Sequence, residues 1–341
     1  MLRWLLMDFL ANYGLFLAKL TSLLLAIAVL LFIFFGLFFG LIAHTKNKAK
    51  GKLDVHKLND KYKSYHRTLS IAIKGKYELK RFLKSQKKKK KKPNTSEAKK
   101  RIFVLDFQGD IRASAVCALR EEITALLTTA THDDEVLLRL ESGGGVVHGY
   151  GLAASQLQRI KDAHIKLVIA IDKVAASGGY LMACVADRII AAPFAIVGSI
   201  GVFVQLPNFH RYLRKKYIDF EQIMAGDYKR TLTLFGENTE KGRAKIKEEV
   251  EETHMLFKSF IKEHRQEVDV EQIATGEHWY ASKALDLRLV DELKTSDDYL
   301  LAASQNYDLF EIQYKRKPPL AERVFHNASR AYQQLLNGLM N

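Results

Sequence analysis

A serine set among small residues, Ala175-Ala176-Ser177-Gly178-Gly179-Tyr180, follows an apolar run that ends near Ile171. At a strand-to-helix transition such a serine is held exposed, and the next backbone N–H groups stay free at the helix N-terminus. That geometry pairs a nucleophile with an oxyanion donor. A plain helix N-cap by Ser177 fits the same pattern, and the motif alone leaves both readings open. A second turn, Glu141-Ser142-Gly143-Gly144-Gly145, follows another apolar run. Its glycines permit conformations closed to other residues and let N–H groups approach a ligand closely. It is not a dinucleotide fingerprint, because Val146 and His148 fall where the third glycine of G-x-G-x-x-G belongs.

Gly198-Ser199-Ile200-Gly201 makes a third small-residue turn, and Gly226-Asp227-Tyr228-Lys229-Arg230 forms a polar island between apolar segments. A lysine serves as a general base only when burial and neighbouring positive charge bring its pKa down from about 10.4. Arg230 supplies such a neighbour to Lys229, while a solvated surface charge is the ordinary role of a lone lysine. No H-E-x-x-H pair is present, and Glu277-His278 lacks its second histidine. A Ser-His-Asp set stays open, since triads are spatial, but His148 reads as a helix-start residue near the glycine turn. Cys117 and Cys184, the only cysteines, lie in apolar runs and read as buried structural thiols. They exclude a disulfide-dense scaffold and a four-cysteine zinc site, and no metal or cofactor is expected.

The elements that must hold these turns alternate between strand and helix signals from Arg101 onward. Strands are expected at Ile102–Phe107, Glu135–Leu140, Lys166–Ile171, Arg188–Ala192 and Ala195–Val197. Helices are expected at Ala113–Thr129, Tyr150–Ala163, from Ser177 and at Arg243–Val268. This alternation predicts an α/β fold with a largely parallel sheet.

The 341 residues carry 53 Lys+Arg against 38 Asp+Glu, a formal net charge of +15. Residues 44–100 hold 21 of those bases and four of the acids, a local +17, which leaves about −2 for the rest. A global argument for nucleic-acid binding therefore fails. Leu20–Ala43 is charge-free and longer than the ~20 residues a bilayer crossing needs. It predicts an uncleaved membrane anchor, with Leu2–Phe16 as an amphipathic lead-in. Residues 44–100, with six lysines at Lys87–Lys92, predict an extended, solvated stalk. Attachment to anionic headgroups is its alternative role.

Taken in order, these turns, Ala-Ala-Ser-Gly-Gly-Tyr, Gly-Ser-Ile-Gly-Val and Gly-x-Tyr-Lys-Arg resemble the signal-peptide-peptidase (SppA) family of membrane-anchored serine peptidases. The resemblance runs from about Phe103 to Leu293 and includes the anchor. It implies a ClpP/crotonase-like α/β fold and a Ser-Lys dyad. By position, Ser177 is the nucleophile, Lys229 the general base and Ser199 the residue that orients the lysine. The N–H groups of Gly178 and of Gly144 or Gly145 form the oxyanion hole. Where the family usually has Ser-Pro-Gly-Gly, this chain has Ser142-Gly143-Gly144-Gly145, and without proline the turn is less preset.

The implied organisation is an anchor at 1–43, a basic stalk at 44–100, a serine peptidase domain at 101–313 and a helical tail at 314–341. One catalytic unit is present rather than a tandem pair, so self-association is expected to complete the enclosing assembly. Implied partners are apolar or membrane-derived polypeptides, such as signal-peptide remnants or misfolded chains, and the lipid bilayer; no nucleic acid is expected. The implied location is the cell inner membrane, single-pass. The lysines after the anchor favour a cytoplasmic domain by the positive-inside rule, whereas the resemblance favours the periplasm. Two other functions fit parts of the pattern: an acyl-CoA enzyme of the crotonase type, and a membrane-anchored binding module acting through the lysine-rich stalk.

Overall fold

The charge-free run expected to cross a membrane lies inside one helix, α1 (Leu2–Ala43). Its most apolar stretch, Asn12–Gly36, is long enough to span a bilayer: 25 residues at 1.5 Å each reach about 37 Å. The lead-in continues into the same helix rather than forming a separate element. This is a computed structural model, and it describes residues 2–43, 51–89 and 99–315. Residues 316–341, including the expected C-terminal helix, lie outside the described residues. Leu53–Lys315 form a unit separate from the one that contains α1.

The unit Leu53–Lys315 is built on a largely parallel sheet. β2 (Arg101–Gly109) and β3 (Glu135–Ser142) pair along their whole length, from Ile102 opposite Glu135 to Gly109 opposite Ser142. β4 (Lys166–Ile171) and β6 (Arg188–Ala191) continue the sheet on one side. Runs such as Phe103-Val104-Leu105 and Val136-Leu137-Leu138 are buried at every residue, which fits strands covered on both faces. Helices α3 (Val116–Leu127) and α4 (Val147–Asp162) pack over one face, against Phe103, Leu105, Phe107, Leu138 and Leu140.

The second face differs from expectation. Residues 52–89, expected as a solvated stalk, form β1 (Lys52–Lys57) and the start of α2 (Leu58–Lys89). β1 is the edge strand beside β10 (Asp308–Lys315), which itself pairs with β2. Leu58 is buried with Ile102, Val104, Leu137 and Val168. The buried Asn59 holds β10 through its carboxamide: Nδ2 donates to the carbonyls of Ser304 (3.1 Å) and Tyr307 (2.9 Å), and Oδ1 accepts from Leu309 N–H (2.7 Å). Lys57 adds an ion pair to Asp308 at 2.7 Å. These contacts hold β1 and the start of α2 on the sheet. Of the lysine run, Lys87–Lys89 end α2, and 90–92 lie outside the described residues.

Candidate active site

The site grows from one change of partner in the sheet. β3 pairs with β4 from Glu135 to Arg139, but at its end Ser142 lies opposite Ala175 of a different strand, β5 (Val174–Ala176). β5 pairs with β7 (Ile196–Gly198), which carries the antiparallel β8 (His278–Tyr280). The strands therefore splay where β3 ends, and all three small-residue turns sit at this fork. Crevices at such switch points are where α/β sheets bind ligands.

Ser177 lies between β5 and helix α5 (Gly178–Ala183) with φ 52° and ψ −120°. A side chain at that backbone conformation stores strain, of order 1–3 kcal/mol. The surroundings hold it there: the Ser177 N–H donates to the Gly198 carbonyl at 2.7 Å, and its carbonyl accepts from Leu181 N–H at 3.0 Å. Ser177 occupies the N-cap position of α5, yet its hydroxyl makes no capping hydrogen bond. The N-cap alternative is thereby excluded, and the half-buried hydroxyl remains free for other chemistry. Gly178 opens the helix, where N–H groups have no intrahelical acceptor.

The glycines are there for close approach. A Cβ on Gly178 would lie 2.5 Å from the ring of Tyr150, and one on Gly179 2.6 Å from the carbonyl oxygen of Ser142. Gly144, at φ +87°, approaches Ser177 so closely that a Cβ would lie 2.7 Å from Ser177 Cβ and 2.8 Å from Gly178 N. Gly145 faces elsewhere: its Cβ would lie 2.1 Å from the Ile111 carbonyl oxygen. The Gly144 N–H donates to Ser142 Oγ at 3.0 Å. Among the described residues the Gly145 N–H has no acceptor.

Ser199 follows Gly198 on the next turn, with φ 52° and its N–H donating to the Glu277 carbonyl at 2.6 Å. Gly198, at φ +102°, leaves room for the Trp279 ring, which a Cβ would meet at 2.8 Å. Lys229 is not brought to this cluster by any described contact. It is exposed, in a turn closed by its N–H on the Gly226 carbonyl at 3.2 Å. Among the described residues no hydrogen bond or ion pair reaches its ammonium; its neighbour Asp227 pairs with Lys241 at 3.0 Å. The surrounding segment is apolar and uncovered: Phe203, Phe209, Tyr212 and Met224 are exposed, with Tyr217 95% and Ile223 97% exposed.

His148 is the exposed second residue of α4, as its helix-start reading implied. Cys184 is buried, burial pushes its thiol well up, and it donates to the Leu181 carbonyl. Among the described residues no cluster of His, Cys, Asp or Glu has the make-up of a metal site. Two hydroxyls lie beneath the glycine turn: that of Ser142, the first small residue of the motif, and that of Tyr150, which carries no motif signal.

An α/β domain with a strained, uncapped serine at a sheet fork, flanked by free N–H groups, has the layout of a serine hydrolase. Comparison with known proteins narrows this class. Residues 8–157 match the model of the peptidase family S49 N-terminal region, and residues 159–309 match that of peptidase family S49. The chain is 46% identical to "Probable protease SohB" of Haemophilus influenzae, covering 95% of this chain and 94% of the relative. It is 50% identical to the protein of the same name from Buchnera aphidicola subsp. Acyrthosiphon pisum, covering 95% and 96%. "Protease 4" of H. influenzae is 26% identical, over 60% of this chain but only 34% of that longer protein. The chain belongs to peptidase family S49 and is a peptidase.

Proposed function

We propose that the chain is a membrane-anchored endopeptidase in which Ser177 attacks the peptide carbonyl and Lys229 takes its proton. The observation that carries this reading is Ser177 itself, strained, uncapped and closely approached by Gly144. Neutral Lys229 accepts the Ser177 proton as the Oγ–C bond forms, and returns it to the leaving amine as the C–N bond breaks. Water then hydrolyses the acyl-enzyme. The carbonyl oxygen, negative in the tetrahedral intermediate, takes hydrogen bonds from the N–H groups of Gly178 and the glycine turn. Gly145 is the better donor there, since the Gly144 N–H is already given to Ser142. Gly144 contributes through its missing side chain, and Ser199 orients the lysine.

This reading requires water to be excluded from Lys229, and a second copy of the chain is the cover we assign. The exposed aromatic and aliphatic side chains between Phe203 and Phe235 support such self-association. α1 supplies the single-pass anchor, in the inner membrane. α2 carries 11 Lys+Arg against two acids, which favours anionic headgroups by about 1 kcal/mol per basic residue near the surface. The substrates are apolar, membrane-derived polypeptides, with signal-peptide remnants and misfolded chains the first to try.

The test is cleavage of an unfolded apolar protein by the detergent-solubilised full chain, as wild type, Ser177→Ala and Lys229→Ala, between pH 6 and 10. Loss of activity in both variants, and a wild-type rate that rises with pH, are expected. Unchanged activity in both variants refutes the dyad and directs attention to acyl-CoA thioesters.

A further inference from the structure

Gly143 gives the glycine turn no rigidity of its own. Gly143 is exposed, and a Cβ there would meet nothing within 4 Å. The exactness that an oxyanion donor needs must come from beneath the turn. Ser142 and Tyr150, both buried, lie there.

Their hydrogen bonds have a single consistent direction. The Asp110 carbonyl is only an acceptor, so the Tyr150 hydroxyl donates to it, at 2.8 Å. Ser142 Oγ lies 2.5 Å from the Tyr150 oxygen and, with the Tyr150 proton committed, must donate to it. The Ser142 lone pairs are then left to accept, and the Gly144 N–H donates to them at 3.0 Å. The chain runs Gly144 N–H to Ser142 to Tyr150 to Asp110, and hydrogen bonds in such a series strengthen one another. Burial pushes the Tyr150 phenol up, which keeps its proton in place.

The Asp110 end of this relay is fixed. The Asp110 carboxylate accepts from Ser114 N–H and Ser114 Oγ, each at 2.7 Å, and the Asp110 carbonyl also accepts from Ala113 N–H at 2.9 Å. Gly109 makes the space: a Cβ there would lie 2.4 Å from both Ser142 Oγ and the Tyr150 oxygen. The Tyr150 ring, meanwhile, packs against Gly178, the first residue after the nucleophile. One side chain thus touches the supports of both oxyanion donors, its hydroxyl under the glycine turn and its ring under the start of α5.

We propose that Tyr150 and Ser142 are positioning residues that hold the glycine turn in register with Gly178, replacing the rigidity that Gly143 does not provide. This rests on the Ser177 reading. Tyr150→Phe keeps the ring and removes only the relay, so the fold survives. The expected result is a kcat lowered about 10- to 100-fold with KM within about twofold, because a donor displaced by less than 1 Å weakens transition-state binding alone. Ser142→Ala should do the same, and Tyr150→Phe/Ser142→Ala should be no worse than the poorer single variant, since both cut one chain.

The decisive variant adds rigidity back. Gly143→Pro should recover several-fold of the lost kcat in the Tyr150→Phe background and change the native enzyme by less than about twofold. Labelling by a fluorophosphonate, measured on the detergent-solubilised full chain, separates the outcomes. Activity or labelling that survives Ser177→Ala overturns the Ser177 reading and the relay's role with it. If Ser177→Ala is silent yet Tyr150→Phe labels and turns over at the native rate, the relay alone is refuted. Multiplying losses, or a raised KM with unchanged kcat, also refute it.

Discussion

Three adjacent glycines should respond to the same substitution in three different ways. At Gly144 an alanine Cβ would lie 2.7 Å from Ser177 Cβ and 2.8 Å from both the Ala176 oxygen and Gly178 N. Ordinary contact begins near 3.4 Å, so the turn must retreat from Ser177 by roughly 0.7 Å. None of these neighbours is a flexible side-chain end that could yield. The positive φ adds about 1–2 kcal/mol and the overpacking about 1–3 kcal/mol, for a total loss of about 2–5 kcal/mol of stability. A misplacement of this size at the reacting centre costs on the order of 100-fold in kcat. Gly143→Ala meets open space and should leave stability within about 0.5 kcal/mol and kcat within about twofold. Gly145→Ala drives a Cβ into the Ile111 backbone, on the side away from Ser177, and should lower the melting temperature together with kcat, since the displaced backbone carries the proposed donor N–H. Fluorophosphonate labelling rates, peptide cleavage and thermal melts on the three variants give the comparison. Equal kcat losses for Gly143→Ala and Gly144→Ala would refute the reasoning, because the turn would then need flexibility and not close approach.

Glu122 offers a pH-dependent test of the fold. Burial raises its carboxyl to about 7, against the pull of the Tyr314 N–H on Oε1 at 2.7 Å, and Oε2 has no partner among the described residues. Between the unfolded value near 4.5 and about 7 the folded state binds more protons, so stability should fall by at most about 3 kcal/mol as pH rises through that window and then level off. Glu122→Gln should flatten this slope and gain stability at pH 8 but not at pH 4.5, measured by denaturant melts. For self-association, Phe203→Ser with Tyr217→Ser should yield monomers by sedimentation in detergent and at least a tenfold loss of cleavage. Full activity in a monomer would show that Lys229 needs no cover from a second copy.

The sequence is most readable where a residue's role depends on near neighbours in the chain. The strands at 102–107, 135–140 and 166–171, and the long helix near 243–268, follow from apolar runs and periodicity, and each recurs with its ends moved by a few residues. β1 and α2 were hidden because their evidence is distant: Asn59 meets its partners some 250 positions away, while the local signal is a run of lysines. Ser177 was marked by its small neighbours; that its hydroxyl caps nothing is a fact of geometry alone. Tyr150 had no signal, since an aromatic at a helix start is ordinary until its oxygen is found 2.5 Å from Ser142.

The fork in the sheet explains why these pieces meet at all. A parallel strand that kept one partner to its end would leave its last residue covered by the neighbouring strand's loop. β3 instead exchanges β4 for β5 after Arg139, so Ser142 stands against Ala175 and the two turns that follow, 143–145 and 177–179, start from paired positions. The close approach then follows: Gly144 can crowd Ser177, and Gly179 the Ser142 carbonyl, only because one ladder pair sets both chains. β7 extends the same logic, presenting the Gly198 carbonyl to Ser177 N–H and carrying Ser199 on the next residue. A single register therefore fixes Ser177, the glycine turn and Ser199. The lysine is outside it, on the segment between α6 (His210–Lys215) and α7 (Glu240–His264), which no strand pairs. On the proposed reading, a base placed there is governed by what covers the segment, so that assembly, and not folding, would switch the site on.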